Sequence, residues 1–449
     1  MHRTDNRHAP GASRIPRASQ THGDGSDGGS DDGSDSGHQH PGHPGAGHQA
    51  RSVEAHRESV RQLLADLAGT GRTEQVPLRE ALGRGLAADI TAPVDLPPFA
   101  NSQMDGFAVR STDIPDGGTD LRVVAPIAAG AVAAPLQPGT AAPIMTGAMI
   151  PPGADAVVPV EKAVPDSFPR PGSTASVRLP ATETGTYVRS AGSDIRAGEP
   201  ALAGGTNLGP GQLGLLAALG ITQVTVHRNL KVLLATTGDE VVEPGSPLEP
   251  GKIYDANGTL LEAAMRQAGL DVLRAAISTD NPEELTAMLR KHAPAVDLIV
   301  TTGGVSKGAY EVVRQAAGGQ DIEFLHVAMQ PGGPQGIGKF DGVPFVGFPG
   351  NPVSCLVSFE MFLRPVLSAL FGAPAPRPAI RARLAEPVES PAGKHQVRRG
   401  TVLPDGTVRL EGGPGSHLVH ALANSNALIH LPAGTSALAA GAEVEVWTL

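Results

Sequence analysis

The stretch VDLIVTTGGVSKGAYEVVRQ, Val296–Gln315, reads as strand, glycine turn and helix. Ile299 and Val300 lie in an apolar run short enough for a buried strand. Thr301, Thr302, Gly303 and Gly304 break it, and Val305, Val312 and Val313 then fall near one helical face. Paired glycines let the main chain approach a ligand closely. The first N–H groups of a helix lack internal partners and favour an anion. An isolated turn of this kind joins many ligand-free βα pairs, so its neighbours decide its meaning.

Working outward, the pattern repeats. LKVLLATTGDEVV reads as strand then turn, GTLLEAAMRQAG as helix and DVLRAAIS as strand. NPEELTAMLRKHA reads as a helix with Asn281 as cap and Pro282 at its first position. IEFLHVAMQ is a further strand, and VPFVGFPGNPVSCLVSFEMFLRPVL is strand, glycine turn and helix. Strands alternating with helices predict a mostly parallel sheet covered on both faces. Ligands of such sheets sit beyond the carboxyl ends of the strands. Three turns, TTGDE, TTGGVS and FPGNPVS, fall at such ends and make Gly303, Gly304, Ser306, Gly350 and Asn351 candidate substrate contacts.

The flanks differ. Met1 to about residue 51 is rich in Gly, Ser, Asp and His, with too few apolar side chains to form a core; its histidines carry no fixed metal-site geometry. Val60, Leu63, Leu64 and Leu67 mark an amphipathic helix over Val53–Leu67, its stripe either core or a dimer seam. VPLREALGRGLAADI reads as a strand and a short helix. A proline-rich passage at Pro93–Pro98 marks a boundary, followed by β-type runs that predict a small all-β module. A helix over Leu208–Leu219 and a strand over Thr222–Val226 precede the α/β region. After FGAPAPRP, residues 379–449 read as a small β-barrel or sandwich. The fold class is therefore α/β and β multidomain.

With 449 residues the chain has room for roughly two to four domains. A net charge of −10 speaks against a basic nucleic-acid or membrane surface. An aromatic share of 3% speaks against a stacking platform for single strands. The single cysteine, Cys355, excludes an intrachain disulfide and fits a reducing compartment. No uninterrupted apolar span near ~20 residues is apparent, and the N-terminus has no apolar signal region. The expectation is a cytoplasmic protein without membrane or nucleic-acid partners.

Acids stand at or near the strand ends: Glu240 after TTGD, Asp280 after IST, and Glu311 in the first helical turn after TTGG. Each alone is as well explained as a cap or solvated charge. Together, beside phosphate-friendly turns, they point to Mg²⁺ bridging to a phosphorylated substrate. There is no G-x-x-x-x-G-K-[ST] motif, no dinucleotide fingerprint and no Ser-His-Asp assembly.

The series PPFANSQMDGFAVR, IMTGAMIPPGADAVVPVE, SDIRAG, TTGDEVV, GKIYDANG, TTGGVS, PGGPQGIGKFDGVPFVGFPGNPVS, VRRG and GSHLVHALANSNALI resembles the molybdopterin molybdenumtransferases, whose animal relative is the gephyrin E domain. The resemblance covers about residues 52–449. It implies insertion of molybdenum from molybdate into adenylylated molybdopterin, with release of AMP and assistance from Mg²⁺. It implies a homodimer of four-part subunits: a discontinuous stalk (52–91 and 194–227), an inserted β module (92–193), an α/β domain (228–376) and a C-terminal β domain (379–449). By resemblance, Asp105 is an acid supplied to the partner's cleft and Thr146 matches the family's MTG threonine. Asp194, Glu240, Asp280 and Glu311 match the remaining acidic positions, with Asp280 and Glu311 as metal candidates. Pro334, Arg399 and Ser416 match molybdate-holding positions. The molybdopterin adenylyltransferase is a further partner to be expected.

Two departures stand out. Glu311 replaces an aspartate, and the family's K-P-G-K-P run is Gln330-Pro331-Gly332-Gly333-Pro334 here, so both lysines are missing. Lys307 or Lys339 are the nearest substitutes in sequence. The missing lysines motivate a second reading, a non-catalytic scaffold or cofactor carrier on the same fold. A third is molybdopterin adenylylation, from the likeness of the α/β region to adenylyltransferases of that pathway.

Overall fold

The alternation of turn and strand resolves, in a computed structural model, into a six-stranded sheet at the centre of the chain. Residues 50–449 are described, apart from 70, 171–174, 278–279 and 306–310. The His-rich tail, Ser306 and Lys307 lie outside the described residues.

The sheet runs in the order Asp271–Arg274, Lys231–Thr236, Leu298–Thr302, Val343–Phe348, Pro334–Phe340, Asp321–His326. The first four strands pair in parallel. Pro334–Phe340 and Asp321–His326 are added antiparallel. Strand alternation sends Val232, Leu234, Leu298 and Val300 into a core on one face, with the helices Val53–Gly69, Ala256–Gln267 and Arg364–Phe371. Leu233, Ala235, Ile299 and Phe345 enter a second core on the other face, beneath Pro282–His292 and Val312–Ala316. Burial on both faces is why these strands are nearly continuous apolar runs.

Val53–Gly69 settles its own ambiguity. Val60 and Leu64 are fully buried against the α/β core, so the stripe is core rather than seam. It packs there although its place in the chain groups it with the stalk. Behind the α/β region, Thr73–Pro77 pairs antiparallel with Gln223–His227, and Ile90–Thr91 with Pro200–Leu202. Val76, Leu86, Leu208, Leu216, Val224 and Val226 form their own core there. Between these halves lies a five-stranded sheet ordered Ala156–Pro159, Gly106–Val109, Thr140–Ile144, Thr119–Val123, Ser176–Leu179. At the C-terminus, His395–Val402, Thr407–Leu410, Ala379–Leu384, Glu443–Thr448 and Ala427–Leu431 pair in turn, and the last pairs back to the first. The sheet is therefore a closed five-stranded barrel around Val408, Ile429 and Val446.

Three sequence expectations need correction. The short helix expected after Val76 is a single 3₁₀ turn, Leu78–Glu80, because Gly83 and Gly85 interrupt it; a Cβ at Gly85 would run into the carbonyl of Phe371. The helix after TTGG begins only at Val312 and spans five residues, so the glycine turn does not open it and Glu311 stands at its N-cap position. The strand IEFLHVAMQ is divided: Asp321–His326 closes the α/β sheet, whereas Met329–Gln330 pairs in parallel with His395–Gln396 of the barrel. Pro352–Phe371 forms a continuous 20-residue helical run apolar enough to span a membrane by length and composition, although Glu360 and Arg364 interrupt its apolar sequence. Its most apolar window is 72% buried, and it carries the buried pair Glu360–Arg364, 3.0 Å apart. These mark a core helix.

Candidate active site

Three turns meet at the carboxyl ends of the parallel strands. After Lys231–Thr236, Thr237 N–H donates to the carbonyl of Thr302 (3.2 Å). After Leu298–Thr302, Gly303 and Gly304 turn with φ of 94° and 62°, a region few side chains adopt. A Cβ at Gly303 would press on Thr237 at 3.0 Å, and one at Gly304 on Val313 at 2.9 Å. After Val343–Phe348, Gly350 comes so near Gly303 that a Cβ would touch it at 3.4 Å. Gly303 and Gly304 are therefore demanded by their backbone conformation and close packing, whereas a Cβ at Gly350 would make only an ordinary contact.

Asn257 ties the turns together. Its amide donates to Thr302 Oγ1 (3.1 Å) and to the Gly350 carbonyl (2.5 Å). Its Oδ1 is buried with no partner among the described residues. Thr302 Oγ1 reaches the Pro349 carbonyl at 3.2 Å and Cys355 Sγ at 2.9 Å. Burial pushes the Cys355 thiol up to about 12, which keeps it protonated and donating to Pro349. Asp255, 2% exposed, caps the helix Ala256–Gln267 through Gly258 N–H (2.8 Å) and pairs with Arg274 (2.7 Å).

These turns wall a cavity of about 1010 Å³. Of the residues singled out from sequence, Glu240, Asp280, Gly303, Gly304, Glu311, Pro334, Gly350, Asn351 and Ser416 all line it. Asp280 is held from outside the helix that follows it: its carboxylate accepts from Asp239 N–H (3.3 Å), and the Asp239 carboxylate accepts from Asp280 N–H (2.8 Å). Ser416 arrives from the barrel; its carbonyl accepts from Val353 N–H (3.1 Å), fastening that loop to the helix after FPGN. Asp280 and Glu311 are hard oxygen donors, the kind Mg²⁺ takes when most of its shell is water and phosphate. No group of three His, Cys, Asp or Glu side chains suited to a metal stands among the described residues. Two carboxylates on one lining fit a cation that takes the rest of its shell from substrate and water.

Four candidates stand apart from the cavity lining. Asp105 and Thr146 form a pair in the five-stranded module: the Asp105 carboxylate accepts from Thr146 Oγ1 (2.7 Å) and N–H (2.6 Å). Those bonds, the hydroxyl's first, hold the exposed carboxyl below its usual range. Asp194 is exposed on the chain returning from that module, its N–H bonded to the Leu96 carbonyl. Arg399 is 1% exposed inside the barrel wall, bonded to the Gly413 carbonyl beneath the loop that carries Ser416. Its Nε and Nη1 have no partner among the described residues. Lys339 is no cavity residue either; it lies 3.9 Å from Asp66. Sequence reading missed Asn257, Lys394 and His326, all of which line the cavity, as does His417, which the sequence offers beside Ser416 as a possible anion contact. Asn257 lies within the quoted motif GKIYDANG, whereas Lys394 has no motif and is placed by the pairing of Met329–Gln330 with the barrel.

With this geometry in view, comparisons with known proteins agree along the chain. The model of the MoeA N-terminal region (domains I and II) matches residues 51–220. The probable molybdopterin binding domain matches 234–369, and the MoeA C-terminal region (domain IV) matches 381–449. Molybdopterin molybdenumtransferase 2 of Mycobacterium tuberculosis is 42% identical over 414 residues, covering 89% of this chain and all of that protein. Molybdopterin molybdenumtransferase of Haemophilus influenzae is 34% identical, covering 86% and 96%. The crystal structure of a molybdopterin biosynthesis MoeA protein from Pyrococcus horikoshii superposes with a TM-score of 0.76 at 28% identity, covering 89% of this chain and all of that one. The chain belongs to the MoeA family of molybdopterin molybdenumtransferases.

Proposed function

We propose that the cavity at the carboxyl ends of the central sheet is where this chain inserts molybdenum from molybdate into adenylylated molybdopterin, releasing AMP. The chain is a transferase of molybdenum cofactor biosynthesis by family, which favours this reading over the scaffold and adenylyltransferase alternatives. The observation that carries it is the convergence on one cavity of three close-approach turns, the carboxylates Glu240, Asp280 and Glu311, and the barrel loop with Ser416.

The residues divide the work. The turns at Gly303, Gly304 and Gly350 admit phosphate and pterin edges to main-chain contact, and Asn257 locks them in register. Asp280 and Glu311 are the residues that would hold Mg²⁺, which when bound supplies charge neutralisation at the phosphate oxygens. Glu240 stands in the same lining, placed to orient water or accept its proton. Pro334 and Ser416 border the oxyanion, and Arg399 stiffens the Ser416 loop from behind.

Asp105, Thr146 and Asp194 lie away from this cavity's lining, and the reading gives them a role across a homodimer, where the module of one copy completes the cleft of the other. The fixed, ionised Asp105 suits that role. An upstream adenylyltransferase is the partner that would deliver the adenylate, in the cytoplasm. The reading is tested by following AMP on mixing the chain with adenylylated molybdopterin. AMP release that depends on molybdate supports it. Adenylate held without turnover would favour the scaffold reading, and ATP consumption with free molybdopterin the adenylyltransferase reading.

A further inference from the structure

The cavity spans the central sheet from an acidic edge to a basic one. Asp280 and Glu240 belong to the edge formed by Lys231–Thr236 and Asp271–Arg274, and His326 ends the strand at the opposite edge. Two antiparallel steps bring Asp321–His326 back to the direction of the parallel strands, so His326 emerges at the same end as the three turns. Five strand spacings of about 4.8 Å separate the two edge strands, roughly 24 Å.

At this basic edge two features interlock. A Cβ at Gly333 would stand 2.5 Å from both Cε1 and Nε2 of His326. Gly333 has no left-handed backbone that would call for glycine, and a side chain there would have to displace the imidazole from the place it occupies. The main chain on either side of the ring is fixed: Val327 N–H donates to the Gly333 carbonyl (2.7 Å), and the His326 carbonyl accepts from Arg51 N–H (2.9 Å). Beside it, the pairing of Met329–Gln330 with His395–Gln396 brings in Lys394, and Gln396 donates to Gln330 Oε1 at 2.8 Å. Lys394 also lines the cavity.

We infer that His326, seated in the volume that a side chain at position 333 would take, and Lys394 form the oxyanion-holding end of the cavity in this chain. A tetrahedral dianion such as molybdate there receives an imidazole N–H and an ammonium group, so the run Gln330–Pro334 needs no lysine. This assignment rests on the proposed molybdenum insertion and specifies which residues select its inorganic substrate. Both act as positioning residues for the anion.

The test is molybdate binding by titration calorimetry on the full chain, alongside separate measurement of adenylylated molybdopterin binding and thermal unfolding. His326→Ala and Lys394→Met should each weaken molybdate binding about tenfold or more and leave pterin affinity unchanged. Lys339→Met should change neither. Gly333→Ala should weaken molybdate binding in the native background by displacing the ring, and add nothing once His326→Ala is present. His326→Ala combined with Gly333→Lys should recover binding, which a merely structural role for His326 would not produce. Wild-type affinity in both His326→Ala and Lys394→Met overturns the assignment while molybdenum insertion stands. A native chain that binds the pterin but no molybdate overturns both.

Discussion

Asp280 and Asp239 hold each other by reciprocal carboxylate to N–H bonds across two turns, so a carboxylate of the cavity lining is fixed by main chain. Asp280→Asn keeps volume and removes charge. Molybdate-dependent AMP release should fall by about 100-fold or more, the effect of losing several kcal/mol of transition-state charge stabilisation. Unchanged turnover would remove Asp280 from the site. Cys355 makes the opposite case, a residue that chemistry should pass by. Its thiol is buried, pushed up to about 12, and engaged with Thr302 and Pro349. A disulfide reagent at pH 8 should label the native chain negligibly and the urea-unfolded chain fully; rapid native labelling would contradict this burial. At this scale the sequence was informative wherever a residue sat on a turn at a strand end, as Glu240, Gly303 and Asn351 do. It was silent on His326 and Lys394, whose place in one cavity lining depends on how Met329–Gln330 registers against His395–Gln396 of the barrel.

The helix Val53–Gly69 was legible because its apolar spacing is period-driven and its partner need only be apolar. The five-residue Val312–Ala316 was misread because Val305 and Val312 share one core without sharing a helix. The divided strand shows a second limit: β-propensity does not say which sheet a residue joins, and Asp321–His326 and Met329–Gln330 join different ones. Within Val53–Gly69, His56 stands edge-on to Phe362 at 4.6 Å, with both ring nitrogens buried and unpartnered among the described residues. Burial, aided by Arg51, pushes it down to about 3, against 6.5 unfolded. Between those values the unfolded chain binds a proton that the folded chain refuses, so stability falls as pH falls through that window. The upper limit is about 1.4 kcal/mol per pH unit from this group. His56→Phe keeps the ring contact and removes the titration. Its urea midpoint should exceed the native chain's at pH 5 and depend less on pH; an unchanged pH slope would contradict the assignment.

Across the whole molecule, the order of motifs along the chain carried the architecture, because each module's glycines, prolines and alternating runs are local signals. The closure of the last module into a barrel was not separable from a sandwich by such signals, since it rests on the long-range pairing of His395–Val402 with Ala427–Leu431. The position of Asp105 and Thr146 outside the cavity lining has a consequence at this scale. If one copy completes the other's cleft, Asp105→Ala and Asp280→Ala chains, each inactive, should regain activity when refolded together. Random pairing gives half heterodimers with one intact cleft each, about a quarter of native turnover; no recovery would place Asp105 outside the shared site. The central claim, that the cavity couples loss of AMP to arrival of molybdenum, is most directly tested by reconstitution from the purified chain, adenylylated molybdopterin and Mg²⁺. With molybdate added, AMP and active molybdenum cofactor should appear in equal amounts, and without it neither should form. AMP released at the same rate without molybdate, or no cofactor formed with it, would contradict the account.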